Sequence, residues 1–204
     1  MTFSIKEALW FGWEKTKKHS AVLFQILLTL FALEVMYALV SNVLEHSAIG
    51  FLAIVALVIA EFVVGVGLVL VTLRIAQGKH VEYKNVIPSL DILWRSALAN
   101  LLMGLIIVVG FILLIVPGIY FILRFSMVRF LVIEGAGVRE SLRKSSALTM
   151  GIKWRLLGFL LVLCLVNLLG FLALMVGLLV TIPVTMIAYA HVYQKLHAHH
   201  HAHA

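Results

Sequence analysis

The chain has 204 residues, of which 63% are hydrophobic and only 12% charged, with a mean hydropathy of +1.12. Water-soluble domains carry about a quarter charged and roughly 45–50% apolar residues, so a soluble fold of this size is excluded and lipid is the expected solvent. The net charge of +7 follows from retention of Lys and Arg on the cytoplasmic side of a membrane, which removes the case for a nucleic-acid partner.

The N-terminal segment 4–18 is expected to form a short helix lying on the membrane. Ser4 and Glu7 have capping-box spacing. Ile5, Leu9 and Trp13 share one face, joined by Ala8, and Lys15, Lys17 and Lys18 close the helix. The segment is charged and the apolar run after it is too long for a signal-peptide core, so that run is expected to stay in the membrane.

Six spans are expected, at about 21–44, 48–73, 97–116, 119–133, 154–170 and 177–193. The longest exceed the roughly 20 residues needed to cross a bilayer. Segment 42–47 is a Lys/Arg-free outer turn, and Glu45 within it extends the stripe of Glu34 and Ser41. Segment 74–95 is a cytoplasmic loop. Pro88 can start a helix there, with Leu90, Leu93 and Trp94 lying on the membrane. Pro117-Gly118 is a strong turn signal between spans three and four. After Glu134-Gly135 a basic amphipathic helix covers 138–150, with Gly151 placed to end it as a C′ residue. Residues 170–177 offer the last outer turn, and Pro183 is expected to kink span six or delay its start.

With this layout all sixteen Lys and Arg residues fall on one side, and both termini are cytoplasmic. A kink instead of a turn at Pro117-Gly118 would give five spans and place the 139–155 cluster outside, against the positive-inside rule. Trp10, Trp13, Trp94 and Trp154 all fall at cytoplasmic boundaries, where aromatic belts form. The fold class is an all-α polytopic membrane bundle, with one transmembrane domain over 1–196 and a His-rich tail over 197–204. That tail is open between a purification tag and a native metal-binding sequence. The single Cys164 is expected as a small buried apolar residue, and His191 as a structural one.

Glu34 and Glu61 sit deep in spans one and two, Glu34 about 15 Å from the outer end at the helical rise. A carboxylate there is unfavourable by about 2.5–3.5 kcal/mol, so both are expected to face the interior and to have partners. Glu61 shares a small, polar face with Gly65 and Thr72. Arg124 and Arg129 are the available counter-charges. Five residues apart, they diverge by about 140° on a helix. Arg129 is near enough to the cytoplasm to snorkel, which leaves Arg124 as the internal partner. Two deep acids and one deep base imply that one acid is protonated. The network reads either as a structural ion pair or as a polar cavity for a headgroup, ion or proton.

A second cluster is cytoplasmic: Arg139, Arg143, Lys144, Lys153 and Arg155, with Ser145, Ser146 and Thr149 beside it. It serves topology and attraction to anionic headgroups, at about 1 kcal/mol per basic residue, or forms a specific phosphate-headgroup site. The spans carry no metal or cofactor motif, no paired His or Asp and no nucleophile beside a base. A non-enzymatic protein binding lipids or partner proteins is therefore expected. The alternative is a small proton-linked transporter using Glu34, Glu61 and Arg124. A cavity reaching Glu61 would favour transport, and a tightly packed core would oppose it. Paired repeats with broken helices, frequent in transporters, show no sequence likeness here. Homo-oligomerisation stays open, without a GxxxG motif.

Segment 115–154 combines Val-Pro-Gly at a span end, a short span with Arg, an acidic-Gly turn and a basic helix with Ser-x-x-Leu-Thr-x-Gly. This order resembles the YciC-like bacterial inner-membrane proteins and the membrane domain fused to some glycerophosphodiester phosphodiesterases. The signature falls on Pro117, Gly118, Arg124, Glu134, Gly135, Leu142, Ser145, Leu148, Thr149 and Gly151. Those families usually open the basic helix with an acidic-Ala-Leu step, where this chain has Glu140-Ser141-Leu142. The resemblance implies a bacterial inner-membrane location and no settled activity; the phosphodiesterase activity of the fused proteins is not carried over to this chain.

Overall fold

The computed structural model describes residues 3–44, 47–173 and 176–201, and among them the secondary structure is entirely helical. Helix α1 is Ile5–Lys18, α2 Ser20–Leu44, α3 Ala48–Ala76, α4 Leu90–Leu113, α5 Ile115–Arg124, α6 Val128–Ile133, α7 Val138–Leu148, α8 Lys153–Leu172 and α9 Leu178–His201, with a 3-10 turn at Tyr83–Val86. Glu45 of the first outer turn, Leu174 and Met175 of the last, and the end of the His-rich tail lie outside the described residues.

Among the described residues, five segments are long and apolar enough to cross a membrane: Ser20–Val43, Ala48–Ala76, Leu90–Ile112, Val116–Ile133 and Lys153–Leu172. Helix α9 is long enough but is diluted by Thr181, Pro183, Thr185, His191, Gln194 and Lys195. Three antiparallel hairpins organise the bundle, α2 with α3, α4 with α5, and α8 with α9. They join at one end, the base. Through residue 43, the buried apolar side chains of α2 are Leu23, Ile26 and Leu27, all in its first third. Those of α3 begin at Val66. Toward the tips Phe31, Leu39, Phe51, Leu52, Leu105 and Ile112 are exposed, an apolar coat suited to lipid. Cys164 belongs to that coat: it is exposed rather than buried, between the exposed Leu161 and Leu165 of α8.

The base core joins Phe3, ahead of α1, and Ala8 of α1 to Leu73, Leu131, Leu156, Phe159 and Tyr193. Helix α1 docks along α9 through Ala8, Gly12 and Thr16; of the expected face, Ala8 is buried, Ile5 and Leu9 pack partly buried against the same core, and Trp13 is exposed. A Cβ at Gly12 would lie 2.3 Å from the Val184 carbonyl oxygen, so the small residues set the approach. The contact runs out to Glu7, whose carboxylate accepts from Lys195 and stands 4.0 Å from His191 Nε2. Trp10 and Trp13 face outward, as do Trp94 and Trp154.

The turn between α4 and α5 is at Leu114, which is extended at φ −175° and ψ 159°. Pro117 follows within the first turn of α5, where its missing N–H removes no hydrogen bond. A Cβ at Gly110 would come within 3.1 Å of the Gly118 Cα, so the pair of glycines lets the two arms close. Pro88 precedes the N-cap Ser89, and α4 starts at Leu90 with Leu90 and Trp94 exposed. Helix α9 continues through Pro183. Helix α7 ends at Leu148 with Thr149 as its cap. Gly151 takes a positive φ of 79°, two residues past that cap.

The chain breaks again after Arg124, where residues 125–127 form a turn between α5 and α6. Ser145 Oγ donates to the Arg124 carbonyl at 2.9 Å and accepts from the Met127 amide at 3.2 Å. Thr149 Oγ1 reaches the same carbonyl at 3.4 Å, and the Tyr189 hydroxyl donates to the Ser126 carbonyl at 2.7 Å. Ser145 and Thr149 are fully buried. Replacing Ser145 by Ala strands the Met127 amide and weakens the clamp. A loss of about 1–3 kcal/mol is expected, read as a lower midpoint in detergent unfolding; an unchanged midpoint would contradict the assignment.

The Lys195 ammonium beside Glu7 holds its carboxyl below the ordinary 4.5. Because the folded-state value is depressed, this contribution is present above the unfolded value and is lost as pH falls through the folded one. Wild type and Lys195→Met should therefore differ in stability near neutrality and converge in acid below pH 4.5. A pH-independent difference would argue against the pair.

Candidate functional site

A cavity of about 510 Å³ lies where the first hairpin meets α4 and α6. Helical periodicity explains its walls. Helix α3 presents Val58, Glu61, Phe62, Gly65, Val66 and Val69; α4 presents Ser96, Ala99 and Asn100; α6 presents Arg129, Val132 and Ile133; Leu30 of α2 and Met186 of α9 complete the lining. Four polar side chains, Glu61, Ser96, Asn100 and Arg129, share a mostly apolar chamber. Such a mixture suits orientation of a ligand with an apolar body.

Glu61 is partly buried near the middle of α3, and Glu34 on α2 is exposed. Their carboxyl groups are near enough to act on each other electrostatically. The two acids are neighbours, as the hairpin predicts, but Glu34 stands on the outer surface of the bundle rather than inside it. Of the face assigned to Glu61, Gly65 lines the cavity, whereas Thr72 is buried below it and donates to the Val69 carbonyl at 2.9 Å.

The cavity arginine is Arg129, not Arg124. The expected assignment treated 119–133 as one helix, but the turn at 125–127 resets the angle between the two side chains. Arg124 turns toward α7, and its Nε donates to Ser146 Oγ at 2.8 Å. Arg129 is exposed within the cavity wall and, among the described residues, has no carboxylate partner.

The five cytoplasmic cations do not converge. Lys144 pairs with Glu140 at 2.6 Å, which holds the Glu140 carboxyl below its usual range. Arg155 stacks over the Phe3 ring at 5.5 Å, and Lys153 lies over the Tyr120 ring at 3.9 Å. Arg139 and Arg143 remain exposed on α7. Glu134 of the acidic-Gly turn is a junction instead, accepting from Tyr193 and from Gln77 at 3.0 Å. His197, first of the His-rich tail, is 2.8 Å from the Tyr193 hydroxyl.

Ser96 and Asn100 escaped the sequence reading. Their i, i+4 spacing on an apolar helix was the available signal, but uncharged polar residues are common in spans and carry little warning. No family model, curated protein or solved structure matches this chain.

A Cβ built at Gly65 meets nothing within 4 Å. Gly65→Leu should fill the chamber without clash and gain roughly 0.5–1 kcal/mol from helix preference. The variant is expected to unfold no earlier than wild type; marked destabilisation would mean that the chamber is closed in solution.

Proposed function

We propose that this chain is a six-pass membrane protein that holds the polar end of a lipid or other amphiphile in the cavity beside α3, without catalysing a reaction. The observation that carries this reading is that Glu61 and Arg129 face one apolar-walled chamber without pairing. A volume of about 510 Å³ is in the range of small-molecule sites, about 300–1,000 Å³.

Helix α9, antiparallel to α8, supplies the sixth crossing. An even number of crossings with the basic residues at the base puts both termini in the cytoplasm. The YciC-like resemblance of 115–154 supports a bacterial inner-membrane location. Arg139 and Arg143 add a general attraction to anionic headgroups, and assembly with a second copy or another membrane protein is compatible with the exposed tips.

Native mass spectrometry of gently purified protein tests this reading, and reports oligomeric state as well. Wild type should retain an amphiphile. Gly65→Leu and the double variant Glu61→Gln/Arg129→Gln should lose it by about tenfold, equivalent to 1.4 kcal/mol. Equal retention in all three would sink the proposal.

A second reading has its own observation, the adjacent carboxyls of Glu34 and Glu61. Two neighbouring carboxyl groups disfavour double ionisation, and a cavity reaching such a pair suits a proton-linked carrier. Proton uptake by reconstituted vesicles that vanishes in both Glu34→Gln and Glu61→Gln would favour transport. Absence of uptake leaves binding alone.

A further inference from the structure

On the other side of the break two cations meet. Arg124 ends α5 and Lys153 opens α8, and they come together at Tyr120, one turn before Arg124. The Lys153 ammonium lies 3.9 Å from the centre of the Tyr120 ring, and both cations interact with the Tyr120 hydroxyl. Arg124 is fixed from behind by its 2.8 Å bond to Ser146. That bond uses Nε and leaves the Nη donors of the guanidinium fork available.

Like charges around one neutral hydroxyl repel. Elsewhere the chain supplies an acid, as for Lys144 with Glu140 at 2.6 Å and Arg95 with Asp91 at 3.0 Å. Among the described residues, neither Arg124 nor Lys153 has a carboxylate partner. The first turn of α8 adds positive character, because no side chain caps it and its leading amides are free to face an anion.

We propose that Arg124, Lys153, Tyr120 and Ser146 form a binding site for a phosphate group, carried by a membrane lipid or free in water. Arg124 offers the fork suited to phosphate oxygens and Lys153 a point charge, with the Tyr120 hydroxyl as a further donor. Tyr120 is 39% exposed, and Trp154 beside Lys153 is 86% exposed. Exposed aromatic groups next to a polar anchor match the membrane interface, which favours the lipid source. None of the four residues lines the cavity, so this site does not rest on the function proposed above.

The test uses the full chain in neutral detergent. One arm titrates inorganic phosphate, the other phosphatidylglycerol, each read by the unfolding midpoint and by native mass spectrometry. Wild type should bind at least one of them. Lys153→Gln should weaken that binding by about tenfold, equivalent to 1.4 kcal/mol. Arg124→Lys, which keeps the charge but loses the fork, should weaken it less. The control Lys18→Gln/Lys79→Gln removes two exposed charges away from the site and should leave binding unchanged. Binding of the lipid but not of phosphate assigns a headgroup site, and the reverse assigns a site for a water-borne anion. No binding of either by wild type overturns the proposal. So does a loss in the control equal to that in Lys153→Gln, since net charge alone would then explain the effect. Should Arg124→Lys fail to fold, Lys153→Gln still decides, because Lys153 makes no hydrogen bond that holds the break together.

Discussion

A backbone break within an apolar segment is tolerated only where protein groups replace the missing helical hydrogen bonds. The turn after Arg124 meets that condition through one neighbouring helix. Ser145 and Thr149 of the α7 region, both fully buried, supply the partners for the Arg124 carbonyl and the Met127 amide. This clamp explains why a polar, basic helix is packed so closely at the base. Its Ser and Thr face the break, and its Arg139 and Arg143 face outward. The Ser-x-x-Leu-Thr pattern in the sequence thus has a structural role, independent of any ligand.

The clamp also determines where the polar chemistry lies. With α5 and α6 separated, Val128, Val132 and Phe125 pack against Ala99 and Met103 of α4, while Arg129 is delivered to the space between α4 and α3. The hairpins are held firmly at the base and diverge toward their tips. A cavity forms just above the last shared core residues, where α3 still touches α6 but no longer touches much of α4. Its position follows from packing rather than from any charged pair. Glu61 and Arg129 line a space that exists because apolar contacts end there.

Much of the fold was legible because helices in lipid obey few rules. Apolar length gave the hairpins, and the glycine and proline at 117–118 gave the turn between α4 and α5 to within a few residues. What the sequence did not yield was phase. The partnership expected for Arg124 rested on depth along one continuous helix over 119–133. For α1, the small residues Gly12 and Thr16 beside Ala8 set the approach to α9, with Ile5 and Leu9 packed against the same core. For Arg124, three non-helical residues undid an angular argument that was sound for a continuous helix. The exposed position of Glu34 has a related cause: the outer half of α2 packs mainly against α3, so there is no deep interior for it to face.

The two arginines of the broken segment show what the interruption achieves. On one helix, side chains five residues apart would diverge by about 140° but would share one continuous environment. Here a turn and a hydroxyl clamp separate them. Arg124 is held at the base beside Lys153 and Tyr120, and Arg129 opens into an apolar chamber. A cation is tolerated beside lipid when it reaches water or a counter-charge, and neither residue has a protein carboxylate as partner. Arg124 instead bonds the Ser146 hydroxyl, and Arg129 is exposed at the wall of its chamber. The Arg124 carbonyl and the Met127 amide meet at the single Ser145 hydroxyl, so one side chain fixes the backbone on both sides of the break and with it the direction of each arginine.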